Sequence, residues 1–227
     1  MVTEKSLKIS AVMSIPRLAF TDNMFCAVKA FPPLGINLFK CSGVFWDHAI
    51  ANLLDKRSAA GDDYIFVVDY DTVFVKEQVV ELIRLMEESK ADAIFPFQIK
   101  RECSDVLMLV HPDEQIEDEK PDLKKPLCKA ITGHFACTII RGESLRKLPH
   151  PWFMSFPNPD TCKWEKGKND SDITFWKLCH GEGWKVYQAN QVKVGHMELM
   201  IKWPTKEGLM FQHVSDYEDH GIPEDAK

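Results

Sequence analysis

Several features that would assign a function class at once are missing from this 227-residue sequence. It contains no run of about 18 apolar residues, so it predicts no membrane span. Its first residues lack the pattern of a secretory signal, and we expect a cytoplasmic protein. Its 28 Lys and Arg residues are outnumbered by 34 Asp and Glu residues. This negative balance argues against nucleic-acid binding, because phosphate backbones attract basic surfaces.

Paired cysteines and a phosphate-binding glycine loop are missing as well. The seven cysteines are odd in number, scattered, and never form a Cys-x-x-Cys pair. Such usage is typical of free thiols in a reducing compartment and gives little support to structural zinc. The loop Ser14-Ile-Pro-Arg17 contains no glycine. It therefore lacks the Gly-rich, basic character of a loop that holds a triphosphate.

Strands and helices alternate through the first hundred residues. Strands are predicted at 7–14, 36–41, 64–68 and 93–99, with helices at 18–31, 45–60 and 76–90. This alternation is typical of a parallel sheet covered on both faces. The pattern weakens afterwards, with strands at 106–110, 130–141 and 184–194, a charged loop at 112–125, and helices at 143–147 and 171–180. We expect one domain over residues 1–227, whose two halves differ in character.

Two carboxylates follow the most apolar stretch of the chain. Asp69 and Asp71 come directly after the run 64–68, with one residue between them. A buried unpaired carboxylate is costly, so each acid needs a cation, a hydrogen-bond donor or access to water. Alternate residues of a strand share a face, so the two acids would form an oxygen-rich site. Such a site suits a divalent cation and the phosphates that it carries, and a capping or turn role is the alternative.

Later residues could complete such a site. His196 follows a second β-rich run, and a neutral imidazole suits a divalent ion, although a lone histidine is more often structural. Asp170 and Asp172 open a predicted helix, where capping explains one acid and a general base for an acceptor hydroxyl could explain the other. Gly133 either lets the backbone approach a ligand closely or marks a bulge in a strand.

In this order, the segments resemble a glycosyltransferase of the GT-A fold. The resemblance is to the inverting, nucleotide-sugar-dependent family that includes polysaccharide synthases and many bacterial and viral sugar transferases. It spans residues 7 to about 200 and rests on Phe66–Thr72, Ile131–Phe135, Asn169–Phe175 and Val194–His196. It implies an α/β, Rossmann-like single domain with a mostly parallel central sheet flanked by helices. Residues 1–100 would form the nucleotide-sugar-binding half, 101–200 a less regular acceptor-side half, and 201–227 a C-terminal extension.

The resemblance also implies catalytic roles. Asp71 would be the direct ligand of Mn²⁺ or Mg²⁺, and Asp69 would contact the ribose or the water shell of the metal. His196 would be a further protein ligand of the metal. Asp172 would be the catalytic base, with Asp170 as the alternative because a serine separates the two acids.

A second group of residues would bind the donor. The resemblance puts Pro16 and Arg17 near the nucleotide base, with Asp47, Tyr70 and Gly133 as further donor-binding residues. The helix that begins near Asp47 has no counterpart of the arginine in the Arg-Asn pair of the family.

The implied activity is transfer of a sugar from a nucleoside-diphosphate donor to a carbohydrate or another hydroxyl acceptor, with inversion. UDP is our choice of nucleotide because it is the commonest in such enzymes. Two alternatives stay open. A nucleotidyltransferase that makes a sugar nucleotide would normally show the Gly-rich loop that is missing here. A non-catalytic nucleotide- or carbohydrate-binding module would keep the aromatic residues and tolerate loss of the base.

Overall fold

The computed structural model describes residues 6–15, 19–43, 45–100, 123–164 and 169–227. Its strands are β1 Ile9–Ser14, β2 Asn37–Cys41, β3 Tyr64–Val68, β4 Thr72–Val73, β5 Ala93–Phe97, β6 Leu127–Ala130, β7 Cys137–Arg141, β8 Val186–Lys193, β9 Gly195–His196, β10 Met200–Thr205 and β11 Gly208–His213. Its α-helices are α1 Thr21–Ala30, α2 Trp46–Ala59, α3 Lys76–Ser89, α4 Gly142–Lys147, α5 Ser171–Gly181 and α6 Val214–His220. Short 3-10 helices cover Pro32–Leu34 and Glu224–Ala226.

Seven strands form the central sheet, in the order β2-β1-β3-β7-β5-β8-β6. Five of them run in one direction, and only β7 and β6 run against it. Helices α1 and α3 cover one face, and α2, α4 and α5 cover the other. The expected α/β domain with a mostly parallel central sheet is confirmed. The elements predicted before residue 100 agree with the observed ones to within three residues at each end.

Strand β3 explains why the most apolar stretch of the sequence is continuous rather than alternating. All five of its residues are buried. Phe66 and Val68 pack on the side of α1 and α3, whereas Ile65 and Val67 pack on the side of α2 and α5. A strand with helices on both faces has no polar side to expose. Polar groups near β3 are therefore confined to its two ends.

The start of β3 carries a buried acid with its own partners. Asp62 is fully buried and accepts hydrogen bonds from Ser10 Oγ at 2.6 Å and from Arg57 Nε at 2.7 Å. Lys8 Nζ lies 3.3 Å from its other carboxylate oxygen. Burial alone would raise the pKa of Asp62, but the hydrogen bonds from Arg57, Ser10 and Lys8 outweigh it and lower the pKa below its usual range. This acid ties β1, α2 and β3 together.

One strand prediction was wrong beyond residue 100. The predicted strand 130–141 is two strands, because β6 pairs with β8 at one edge of the sheet while β7 fills the gap between β3 and β5. Residues 131–136 form an irregular connection between these two positions. An edge strand and a central strand cannot be one straight segment. The predicted strand 106–110 and most of the loop 112–125 lie outside the described residues.

The C-terminal extension forms a separate antiparallel hairpin, β10–β11, followed by α6. Neither β10 nor α6 contributes a buried residue. Leu199, Leu209 and Phe211 are more than half exposed. Across the described ranges, no helix combines the length and the apolar character needed to cross a membrane.

Candidate functional site

A cavity of about 280 Å³ lies beyond the carboxyl end of β3. It is bounded by the start of α2, the turn after β3, the end of β5, the connection before β7, the start of α5 and strand β9. Its lining residues are Trp46, Asp69, Tyr70, Asp71, Gln98, His134, Phe135, Ser171, Asp172 and His196. This is the edge of an open α/β sheet at which ligands bind.

The acid turn, defined here as Asp69–Thr72, presents two carboxylates with different surroundings. Asp69 is partly buried, and its Oδ1 accepts a hydrogen bond from Trp46 Nε1 at 3.2 Å. Asp71 is 3% exposed, and its Oδ2 lies 3.4 Å from Nε2 of His196. Trp46 thus orients one acid, while the other lies against the imidazole.

Two short strands bring His196 to Asp71 across a long stretch of sequence. Strand β9 pairs with β4 so that His196 lies opposite Thr72. The backbone N–H of Met197 donates to the carbonyl oxygen of Asp71 at 2.7 Å. On the ring, Nδ1 lies 3.0 Å from the carbonyl oxygen of Ile99, so Nδ1–H is the donor there. The Nε2 atom then faces the carboxylate of Asp71 at 3.4 Å.

Negative charge is concentrated in the cavity. Burial, followed by the negative charges of Asp71 and Asp172, raises the pKa of Asp69 to about 7, against the opposing hydrogen bond from Trp46 and the charge of His196. Burial also raises the pKa of Asp172. The carboxylates of Asp69, Asp71 and Asp172 lie close enough for their negative charges to repel each other, and a bound cation would reduce this repulsion.

The two acids at the start of α5 occupy different environments. Asp172 lines the cavity, and its Oδ1 accepts a hydrogen bond from the N–H of Ile173 at 2.8 Å. Asp170 is exposed, precedes the helix and is not among the lining residues. Of the two, only Asp172 lines the cavity.

Two side chains of the cavity, those of Asp71 and His196, could together hold a divalent ion. Within the residues that the structure describes, no group of three or more His, Cys, Asp or Glu side chains is arranged to hold a metal. The carboxylate of Asp71 and the imidazole of His196, at 3.4 Å, have the spacing of neighbouring ligands of one ion. An ion held there would take its other ligands from phosphate oxygens and water, which is the usual way in which Mg²⁺ is bound.

Of the other residues predicted to bind the sugar donor, some line the cavity and others do not. Tyr70 lines the cavity, and its ring is parallel to that of Phe20 with centroids 6.4 Å apart. The carboxylate of Asp47 accepts the N–H of His48 at 2.9 Å and is not a lining group. A Cβ atom added to Gly133 would lie 2.7 Å from the Phe95 ring, so packing already explains this glycine. Pro16 and Arg17 lie outside the described residues.

Sequence reasoning missed His134 as a cavity residue. The ring is buried, with Nε2 2.9 Å from the carbonyl oxygen of Pro96 and Nδ1 accepting the N–H of Ala136 at 3.2 Å. Burial lowers its pKa to about 3, so the ring is neutral. It fastens the connection before β7 to the end of β5. Its position in the run Thr132–Phe135 was the only signal that the sequence offered.

Comparison with known proteins shows a similarity of fold and no similarity of sequence. No protein-family model and no curated protein sequence matches the chain. Among solved structures, A197 from STIV has a TM-score of 0.53 and 13% identity, over 81% of both chains. GalNAc-T7, solved with UDP, GalNAc and Mn²⁺, has a TM-score of 0.47 and 12% identity, over 85% of this chain and 44% of that longer one.

The architecture belongs to a known class. An α/β domain whose mostly parallel sheet is covered by helices on both faces, and which resembles A197 from STIV, has a GT-A-like fold. At 13% identity, the similarity does not extend to the reaction or its substrates. Any activity must therefore be argued from the residues of the cavity.

Proposed function

We propose that the protein is a metal-dependent glycosyltransferase that moves a sugar from a nucleoside-diphosphate donor, UDP being our choice, to an acceptor hydroxyl with inversion. One observation carries the proposal: Asp69, Asp71, Asp172 and His196 line a single cavity at the carboxyl edge of the sheet. Two of these groups suit a cation, and one is a base that faces the same space. A fold of this class supplies the context but not the chemistry.

The metal-binding role falls on Asp71 and His196. Bound there, Mn²⁺ or Mg²⁺ would supply Lewis-acid stabilisation for the negative charge that develops on a departing diphosphate. Asp71 provides a hard carboxylate oxygen and His196 a nitrogen, and Ile99 orients the ring through Nδ1. Asp69, oriented by Trp46, is suited to accept a hydrogen bond from a donor hydroxyl or from a metal-bound water.

Asp172 is the proposed base. It takes the proton of the acceptor hydroxyl as that oxygen forms a bond to the anomeric carbon and the bond from that carbon to the diphosphate breaks. Its pKa is raised by burial, which brings it closer to the range useful for proton transfer. A base on one side of the sugar and a diphosphate leaving on the other give a single displacement, and hence inversion.

The decisive experiment follows nucleoside-diphosphate release from UDP-sugars without acceptor. We expect slow release with Mn²⁺, none with EDTA, and none from Asp71→Ala. The matched control is Asp55→Ala, because Asp55 is an exposed acid on α2 far from the cavity lining. Release by Asp71→Ala at the wild-type rate would contradict the metal assignment.

A thermal-shift comparison of UDP-, GDP- and TDP-sugars with Mn²⁺ identifies the nucleotide. A ligand at a hundred times its Kd stabilises the folded state by about 2.7 kcal/mol, which corresponds to a rise of about 5 °C or more in melting temperature. We expect this rise for one nucleotide and its loss with EDTA. Tight metal-dependent binding without turnover in any acceptor mixture would instead favour a non-catalytic binding module.

A further inference from the structure

Asn23 is a polar residue on the buried face of α1. It is 1% exposed and shares that face with Ala27 and Ala30. A side-chain amide among apolar neighbours is costly unless its hydrogen bonds are made. The presence of an amide therefore calls for a reason other than packing.

The amide of Asn23 donates to both ends of the acid turn. Its Nδ2 lies 2.8 Å from the carbonyl oxygen of Asp69 and 2.6 Å from the carbonyl oxygen of Thr72. An amide nitrogen has two hydrogens, and both are used here. The two carbonyl groups flank Tyr70 and Asp71. One side chain thus spans the segment that carries both carboxylates.

The acid turn has no regular ladder of its own before Thr72, so its shape depends on such outside contacts. The N–H of Asp69 donates to the carbonyl oxygen of Phe135 at 3.0 Å, and the carbonyl of Asp71 accepts the N–H of Met197 at 2.7 Å. Those two contacts hold the turn from the sides of β7 and β9. Asn23 is the contact from the side of α1, and it holds the backbone of the turn through a side chain that a substitution can remove.

We propose that Asn23 is a positioning residue that fixes the acid turn, so that the carboxylates of Asp69 and Asp71 keep the directions needed to bind a metal and a donor. The inference rests on the proposed function, which it deepens. Loss of a hydrogen-bonding partner behind a metal ligand typically lowers metal affinity about 10- to 100-fold. Asn23 does not line the cavity, so its effect would pass through the backbone of the turn.

The test compares Asn23→Leu, which keeps the size and removes both donors, with Leu145→Ala. Leu145 is fully buried in α4 and lines no part of the cavity, so this control lowers stability without touching the acid turn. Mn²⁺ binding is measured by calorimetry at saturating UDP, well below both melting temperatures. We expect about a tenfold or greater weakening for Asn23→Leu and less than a twofold change for Leu145→Ala. Equal changes in the two variants would overturn the proposal.

Hydrogen exchange provides a readout that needs no metal. In Asn23→Leu, we expect the amides of Asp69 and Met197 to exchange at least tenfold faster relative to wild type, while the amides of β1 change no more than they do in Leu145→Ala. Unchanged exchange at the acid turn would overturn the positioning role. If wild-type protein binds no Mn²⁺ with UDP, the proposed function fails, and the exchange result still decides whether Asn23 fixes the turn.

A variant that keeps one donor guards against misfolding. Asn23→Ser retains a hydroxyl and creates little steric conflict, so it is the version to use if Asn23→Leu does not fold. We expect its Mn²⁺ affinity and exchange rates to lie between those of wild type and Asn23→Leu. Wild-type values for Asn23→Ser in both measurements would count against the proposal, since one short hydroxyl cannot reach both carbonyl oxygens.

Discussion

The two ends of β3 carry acids whose surroundings are opposite. At the start of the strand, Asp62 lies among Ser10, Arg57 and Lys8, and its pKa is lowered. Beyond the end of the strand, Asp69 lies near two other carboxylates, and its pKa is raised to about 7. Both acids follow from the same need, because a strand covered on both faces leaves its polar groups at its ends.

The difference separates an acid with a structural role from the acids that we propose to be functional. The charge of Asp62 is balanced within the protein, so it stabilises the fold and needs no ligand. At the other end, burial and the neighbouring carboxylates of Asp71 and Asp172 raise the pKa of Asp69. A carboxyl group whose pKa is strongly raised inside a cavity is a candidate for a functional role. The following predictions test this contrast, in order of decreasing effect.

The largest effect should come from Asp172→Asn. Loss of a general base lowers the transfer rate about 10²- to 10⁴-fold. The asparagine keeps an oxygen that accepts the N–H of Ile173, so donor affinity and folding should be retained. Initial rates and donor Kd measure the two effects separately. The control is Asp170→Asn at the exposed neighbouring acid, and unchanged transfer in Asp172→Asn would rule out this base.

At the structural end, Asp62→Asn should lower the free energy of unfolding by about 3 kcal/mol, because Arg57 loses the carboxylate that balances it. Urea unfolding measures the loss. Exposed Asp55→Asn is the matched control and should change stability by less than about 0.5 kcal/mol. An unchanged free energy of unfolding in Asp62→Asn would show that the ion pair with Arg57 does not stabilise the fold.

The acid dependence of stability should follow Asp62 in sign. Its folded pKa is lower than its unfolded pKa, so the unfolded chain binds the proton more tightly. Its contribution is therefore present above the unfolded value of about 3.9 and is lost as the pH falls through the folded pKa. Urea unfolding from pH 6 down to pH 2 should show the difference between wild type and Asp62→Asn shrinking below about pH 4. A constant difference would contradict the assignment.

Close packing should also differ between the ends of the sheet. A Cβ atom at Gly142 would lie 2.0 Å from the backbone oxygen of Asp62, whereas one at Gly195 would meet the side chain of Val73 at 2.5 Å. A backbone atom cannot move as freely as a side chain. We expect Gly142→Ala to lose about 2 kcal/mol of stability and Gly195→Ala about 1 kcal/mol. Urea midpoints measure both, and the reverse order would contradict this reasoning.

The smallest effect, and a gain, is expected from Asp69→Asn in metal-free protein at neutral pH. The substitution removes one of three competing charges and keeps an acceptor for Trp46. A gain of about 1 kcal/mol corresponds to a rise of about 2 to 4 °C in melting temperature. Calorimetry with EDTA measures it, and Asp62→Asn under the same conditions should move in the opposite direction. A fall for Asp69→Asn would show that its charge is already balanced.

The sequence predicted the elements that depend on local pattern. The run 64–68 is apolar on both faces, which is typical of a central strand. The apolar residues of α3 recur at helical spacing, which predicts a helix with one buried face. The acids after β3 stood out because they interrupt such a run. These features depend on neighbours within a few residues, which periodicity reports directly.

What the sequence could not predict depends on contacts between distant segments. The insertion of β7 between β3 and β5 is determined by which strand pairs with which, and no local pattern encodes that choice. The same holds for the bonds of Trp46 and Asn23 to the acid turn. Asp47, which the resemblance suggested as a donor-binding residue, accepts the N–H of His48 and does not line the cavity, whereas its neighbour Trp46 does.

The strand order β3-β7-β5 also bears on how the chain folds as it leaves the ribosome. After the first hundred residues, β3 and β5 have both been made, but the strand that joins them has not. Each therefore has an unpaired edge, and such edges readily pair with other chains. We expect a nascent chain that stalls before β7 to be a substrate for chaperones, although more than half of its central strands already exist. Residues 1–100 thus supply strands on both sides of a gap in the sheet, and the two sides are joined only after β7 has been synthesised.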